Sequence, residues 1–148
     1  MRTSSAGIGL IKLFEGFKSK PYKCPAGIWT IGYGATYHID GRKISPTDKP
    51  ITQAEGVEML KQMLIPYEKG VDSFTRDDIS QGQFDALVSF AYNVGLNALR
   101  NSTLIKKVNK NPSDPSIAKE FLKWNKVNGK ALQGLTRRRE AEAKLYFS

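Results

Sequence analysis

A carboxyl, a thiol and a hydroxyl stand close together in LFEGFKSKPYKCPAGIWTIGYGAT, the stretch that carries Glu15, Cys24 and Thr30. Such groups can do polar bond chemistry: a carboxyl gives a proton, a thiol attacks or holds a water, and a hydroxyl orients an attacking oxygen. The apolar run SAGIGLIKLF before Glu15, and Gly16 after it, place that carboxyl on the last turn of a helix closed by a glycine. A carboxyl there is partly desolvated, which favours the protonated form that a proton donor needs. Pro21, the Pro25-Ala26-Gly27 turn and the run Ile28-Trp29-Thr30-Ile31 predict two short strands meeting in a hairpin. Cys24 and Thr30 then flank one turn. A thiol with a pKa of about 8.5 is mostly neutral near pH 7 and cannot supply the full charge of an aspartate. Cys24 either attacks as a nucleophile or, with Thr30, orients a water. Taken singly, the three residues also have plainer uses, as a capped surface Glu, a buried apolar Cys and a β-forming Thr.

The elements that must position these groups are readable from periodicity and caps. Thr52-x-x-Glu55 is a capping box, and Ala54, Val57, Leu60, Leu64 and Tyr67 follow at helical spacing, which predicts one long helix leaving the N-terminal lobe. Ser80-x-x-Gln83 caps a second helix carrying Phe84, Leu87, Val88, Ala91 and Val94 and ended by Gly95, apolar enough to lie at the centre of a bundle. Shorter helices start from Ser102 and from Asp114-Pro115, and a last one runs from about Gly134 to Phe147. Strands are expected only at about residues 21–48, and the longest polar connection is His38 to Pro50. The fold class is therefore α+β, a single domain over residues 1–148. A small β-containing lobe (about residues 15–50) is joined by the long helix to a helical lobe (about 52–148) that includes the N-terminal helix, with a cleft expected between the lobes.

Composition narrows the function classes. A chain of 148 residues with 40% hydrophobic and 25% charged residues can bury a core and is neither disordered nor a membrane protein by composition. The apolar stretch Ala6–Phe14 is interrupted by Lys12 and is too short for a signal peptide core or a membrane span, so export is expected to need outside help. The formal net charge of +9 attracts polyanions. The basic residues are scattered, however, and no recognition-helix or RNP-like pattern appears, so an anionic cell envelope suits the charge as well as nucleic acid does. The single cysteine excludes an internal disulfide. One histidine, one cysteine and no clustered acids give no metal site, and no glycine-rich phosphate cradle appears, so no cofactor is expected.

Three motifs in order resemble the phage-type lysozymes, the endolysin muramidases of glycoside hydrolase family 24. In that family a Glu is followed nine residues later by Asp or, in a subset, Cys, and six residues further by Thr. Glu15, Cys24 and Thr30 stand at those positions, in the setting Tyr22-Lys23-Cys24 and Gly27-Ile28-Trp29-Thr30-Ile31-Gly32-Tyr33-Gly34. The family's helix signature is similar to Asp85-Ala86-Leu87-Val88-Ser89-Phe90-Ala91-Tyr92-Asn93-Val94-Gly95, followed by Ser102-Thr103-Leu104. Its C-terminal signature resembles Trp124 through Gly129, Leu132, Gly134 and Leu135 to Arg138-Arg139 and Glu142. The chain departs from the pattern after Gly34, where Ala35-Thr36 replaces His-Thr and the only histidine, His38, comes three residues late. Near the turn after Ser102-Thr103-Leu104, where many relatives have glycine, this chain has Asn109 and Asn111, and asparagine tolerates a left-handed backbone.

The resemblance implies a lysozyme-like fold and cleavage of the β-1,4 bond between N-acetylmuramic acid and N-acetylglucosamine in peptidoglycan, causing host lysis. Glu15, Cys24 and Thr30 are then catalytic, and Tyr33, Asn93 and Tyr22 are candidates for lining the sugar cleft. Arg138, Arg139 and Glu142 are expected to form a structural ion-pair cluster, and Trp29 and Trp124 to sit in the core. The partners are glycan strands and the anionic envelope, with no specific nucleic acid, no metal and a monomeric state. The enzyme would wait in the host cytoplasm until a helper such as a holin releases it to the wall. A lytic transglycosylase using Glu15 alone, and a non-catalytic basic module for envelope or nucleic acid, are the competing readings. The basic C-terminal helix, with Arg137, Arg138, Arg139 and Lys144, could also disturb anionic membranes by itself.

Overall fold

The computed structural model describes all residues, 1–148, and falls into two compact units, residues 11–65 and residues 1–10 with 66–148. Eleven elements follow one another: α1 (Ser5–Glu15), β1 (Lys18–Lys23), β2 (Trp29–Gly32), α2 (Gln53–Phe74), α3 (Gln81–Val94), α4 (Leu96–Arg100), α5 (Thr103–Lys110), α6 (Ile117–Leu122), β3 (Lys126–Val127), β4 (Lys130–Ala131) and α7 (Gln133–Tyr146). The fold is α+β, as expected. No helix is long and apolar enough to cross a membrane.

In the larger unit α3 is central because its sequence is apolar nearly all round: every residue from Phe84 to Ala91 is buried. The reciprocal capping box of Ser80 and Gln83 starts it, and Gly95, at φ 98°, lets the chain turn directly into α4. Phe90 meets Phe121 of α6 and Trp124 edge-on at 5.7 and 5.5 Å between centroids, and Phe121 in turn meets Tyr146 of α7 at 5.8 Å. Each ring removed from water adds roughly 1.5–3 kcal/mol. Buried polar residues also tie this unit together. The Asp85 carboxylate accepts bonds from the Ser4 amide (3.0 Å), the Ser4 hydroxyl and Gln81, fixing the start of α1. The expected cluster on α7 is wholly buried: Glu142 lies 2.9 Å from Arg139 and 3.3 Å from Arg138, and accepts the Ser89 hydroxyl at 2.6 Å. Burial pushes the Glu142 carboxyl up, while the Arg139 and Arg138 guanidiniums and the Ser89 hydroxyl pull it down.

In the smaller unit β1 and β2 pair antiparallel, with Tyr22 opposite Thr30 and Lys23 opposite Trp29. Ile31, Ala35, Ile44 and Met59 form its core, with Trp29, Ile51 and Met63 packed against them. Thr52 and Glu55 cap α2 reciprocally at 3.1 and 3.0 Å. Within α2 the buried stripe is Gly56, Met59, Leu60 and Leu64, continuing through Glu68 and Val71, while Ala54 is exposed. The boundary between the units falls at Pro66, inside this helix.

Several expectations are corrected. Strands are not confined to residues 21–48, because β3 and β4 form a second hairpin around Asn128 and Gly129. Both residues have positive φ, 50° and 79°, as a two-residue turn of right-handed strand twist requires. Asn111 is extended rather than left-handed, at φ −158°, so Asn128 alone among the non-glycine residues has positive φ. The helix α6 begins at Ile117 rather than beside Asp114, because the Asp114 side chain accepts the Ser116 amide and a tight turn precedes the helix proper. Arg138 and Arg139 are 3% and 0% exposed, so α7 does not present the continuous basic face that a membrane-disturbing helix needs.

Candidate functional site

Strand geometry brings three of the candidate residues together. Side chains two apart on a strand share a face, so Tyr22 and Cys24 lie on one side, and Thr30, paired with Tyr22, lies on that side too. Cys24 directly follows β1, where its amide bonds the Ile28 carbonyl at 3.0 Å and its carbonyl accepts the Gly27 amide at 2.8 Å. Gly27, at φ 79°, makes this closure possible. The turn aims its polar groups at the sulfur. Hydrogen bonds from the backbone amide of Ile28, opposed by slight desolvation and joined by the Ala26 amide and the Thr30 hydroxyl, hold the Cys24 thiol below its ordinary range. The thiol therefore carries more anionic character than a free cysteine, which narrows its difference from an aspartate.

Thr30 is 3% exposed, and its hydroxyl donates to the Ile28 carbonyl at 2.9 Å. A hydroxyl has one proton and two lone pairs. It can donate to that carbonyl and accept from a water or from a neutral thiol, or turn and donate to a thiolate. The Ile28 carbonyl keeps the Cys24 amide in either state.

Glu15 is the last residue of α1 and is half-buried, and Gly16, at φ 71°, closes the helix through its amide to the Lys12 carbonyl at 3.0 Å. Tyr22 links the two halves of the site: burial raises its phenol first, and the charges of Glu15 and then Cys24 raise it further. Tyr22 therefore lies within electrostatic reach of both Glu15 and Cys24. Tyr33 is 4% exposed, with its ring against Phe17 at 5.3 Å and the Lys12 ammonium at 5.7 Å. It packs in the core, which leaves almost none of its ring exposed to line a sugar cleft. Asn93 belongs to the helical unit, where its side-chain carbonyl accepts from Arg139 at 2.7 Å. His38 bonds Asp48 at 2.7 Å in the loop after the hairpin. The Ser45 amide and His38 both hold the Asp48 carboxyl low.

Sequence reasoning missed a cavity of about 290 Å³ lined by Asn93, Trp124, Lys126, Val127 and Leu135 among others. Trp124, expected in the core, is half-buried there, and Trp29 is half-buried beneath the Lys23 ammonium at 5.5 Å. The Asn128-Gly129 pair is a strong hairpin signal and would have revealed the ribbon that supplies two of those lining residues. The amides of Ala26 and Ile28 carry no side-chain signal at all.

The fold and this set of groups define an α+β chain with a carboxyl at a helix end and a thiol–hydroxyl pair on the adjoining hairpin. A phage lysozyme family model matches residues 12–142. The whole chain is 44% identical to the endolysin of Bacillus phage B103, covering 55% of that protein, and 37% identical to the endolysin of Salmonella phage P22, covering 99% of it. Thus the chain spans about half the length of the first of these curated relatives and of its counterpart from Bacillus phage PZA. Among solved structures, a point mutant of P22 lysozyme superposes with a TM-score of 0.88 at 36% identity, over 100% of this chain and 99% of that one. The muramidase domain of SpmX from Asticaccaulis excentricus gives 0.85 at 32%, over 99% and 98%. The chain belongs to the phage lysozyme family.

Proposed function

We propose that this protein hydrolyses the β-1,4 bond between N-acetylmuramic acid and N-acetylglucosamine in peptidoglycan, with Glu15 as general acid and Cys24 and Thr30 aligning the attacking water. The observation that carries this reading is the hairpin face on which the Thr30 hydroxyl reaches the Cys24 thiol, next to a Tyr22 phenol that feels both Glu15 and Cys24. Family membership and relatives named as endolysins and a muramidase domain support the substrate class.

Cleavage needs a proton on the leaving oxygen and a nucleophile at the opposite face of an oxocarbenium-like carbon. Glu15 gives its proton to the glycosidic oxygen as the bond from the anomeric carbon breaks. A water held by Cys24 and Thr30 forms the new bond to that carbon and loses its proton toward the thiolate, so the anomeric centre inverts. A thiol shifted down suits this task, because a base works best with a pKa near the working pH. The protein acts on the wall as a monomer, after another protein opens its route from the cytoplasm.

Two product measurements on purified peptidoglycan test this. Reducing muramic acid ends by mass and a first-formed α anomer by proton NMR are expected. Anhydro ends would make the enzyme a lytic transglycosylase. An initial β anomer, or a sugar adduct on Cys24, would make it a retaining enzyme with a cysteine nucleophile. Glu15→Gln is expected to lower the rate by roughly 10² to 10⁴-fold with unchanged thermal unfolding, and substantial lysis by that folded variant would refute the enzymatic reading.

A further inference from the structure

Asn128-Gly129 is the only Asn-Gly pair in the chain, and it forms the two-residue turn of the β3–β4 ribbon. In such a pair the glycine nitrogen can bond the side-chain amide carbon of the asparagine and close a five-membered ring, because glycine has no Cβ to obstruct the approach. The surroundings leave this pair open to that reaction. Asn128 and Gly129 are exposed, and a Cβ on Gly129 would meet nothing within 4 Å. The Gly129 amide donates to no backbone carbonyl, and the Asn128 side chain has no hydrogen-bond partner. Ring closure turns the Asn128 backbone out of the left-handed region, so the ribbon must open first. That opening is cheap: φ 50° is itself costly for a residue with a Cβ, and the flanking strands are two residues each, all four exposed. Comparable pairs are held shut. Both Asp40 oxygens in Asp40-Gly41 are taken by Arg42, through its amide at 3.0 Å and its Nε at 2.8 Å, and these bonds keep the carboxyl ionised and resistant to attack. In Asn101-Ser102 the attacking nitrogen is committed to the Leu99 carbonyl at 3.1 Å, and Ser102 is buried.

We propose that Asn128 is a self-modification site, where spontaneous ring closure and hydrolysis convert the asparagine to aspartate and isoaspartate and remodel the ribbon. The Gly129 nitrogen gives its proton to the solvent and bonds Asn128 Cγ. The Cγ–Nδ2 bond breaks, and Nδ2 leaves as ammonia. Water then opens the succinimide at either carbonyl. Cleaving the new bond from nitrogen to Cγ leaves aspartate; cleaving the old bond from nitrogen to the main-chain carbonyl carbon leaves isoaspartate, whose main chain is one carbon longer. In sum, one water enters and one ammonia leaves. Aspartate keeps the ribbon and lowers the net charge of +9 by one. Isoaspartate lengthens a two-residue turn, so the pairs Val127–Lys130 and Lys126–Ala131 cannot both be kept. Lys126 and Val127 line the cavity beside Asn93 and Trp124, and its wall moves with them.

The test ages the whole protein at mildly alkaline pH, which speeds loss of the amide proton, and then digests it with trypsin, which releases Val127–Lys130 as one peptide. That peptide is expected to gain about 1 Da, the difference between an amide and a carboxylic acid, as two chromatographically separate products. The gain should be at least about tenfold faster than at Asn101, whose attacking nitrogen must first break a hydrogen bond. The Trp124 indole N–H resonance, identified by its loss in Trp124→Phe, should gain a second position as the isoaspartyl form accumulates. Asn128→Gly gives a Gly-Gly turn that keeps the ribbon but removes the reacting amide, so its resonance should stay single on ageing. An unchanged mass of Val127–Lys130, a single aspartyl product, an equal rate at Asn101, or an indole resonance that ages alike in the parent and in Asn128→Gly would overturn the proposal.

Discussion

At the scale of single residues, Cys24 is the one whose chemistry the structure redefines. An isolated thiol is a weak stand-in for a carboxylate, but two backbone amides and the Thr30 hydroxyl favour its anion. The rate of iodoacetamide alkylation against pH should therefore give an apparent pKa below the ordinary value of about 8.5, and Thr30→Val should move it back up. A profile at or above the ordinary value would remove the base role. The linked stability has a definite sign: with the folded pKa depressed, stabilisation is complete above the unfolded pKa and fades as pH falls through the folded one. Because the shift rather than the sulfur itself is what a base requires, Cys24→Asp is expected to retain or exceed parental lysis, and Cys24→Ser to keep a measurable remnant. Complete loss in a folded Cys24→Asp would favour a sulfur-specific, covalent route.

At the scale of elements, α1 shows how tertiary context decides the fate of identical residues. Gly7 and Gly9 both lie inside this helix, where alanine is favoured over glycine by roughly 0.5–1 kcal/mol. A Cβ on Gly9 would meet nothing within 4 Å, so Gly9→Ala should raise stability by about that amount in a urea titration. A Cβ on Gly7 would come within 2.6 Å of the Thr3 methyl and 2.8 Å of the Asp85 carboxyl carbon. That carboxylate holds Ser4 and Gln81, so it cannot yield cheaply, and Gly7→Ala should cost about 1–3 kcal/mol. Equal effects at the two positions would mean that the start of α1 is not held against α3 in solution.

At the scale of the whole molecule, one buried cluster and the net charge set the behaviour. Glu142 pairs with two buried arginines and joins α7 to Ser89 of α3. Glu142→Gln removes one buried charge from this ion-paired cluster and is expected to cost about 3–5 kcal/mol, read as a large fall in the denaturation midpoint. A change below about 1 kcal/mol would show that the cluster contributes little. The net charge of +9 acts at longer range, through interactions screened over about 8 Å at physiological ionic strength. Wall binding and lysis should both fall as salt rises, and a flat response would assign the charge another purpose.

The sequence by itself determined what is local or periodic. Capping boxes at Thr52 and Ser80, the apolar girth of α3, the hairpin turn at Pro25–Gly27 and the spacing of Glu15, Cys24 and Thr30 all depend on neighbours a few residues away. Those interactions leave a pattern in the chain. The Asn128-Gly129 hairpin was equally legible and was missed through its shortness, each strand being two residues long. Only the tertiary structure decided that Tyr33 is core, that Arg138 and Arg139 are buried, that Trp124 borders a cavity and that Tyr22 lies near both Glu15 and Cys24. The lowered thiol is of the same kind, because backbone amides are the same in every residue, and only the path of the chain can aim two of them at one sulfur.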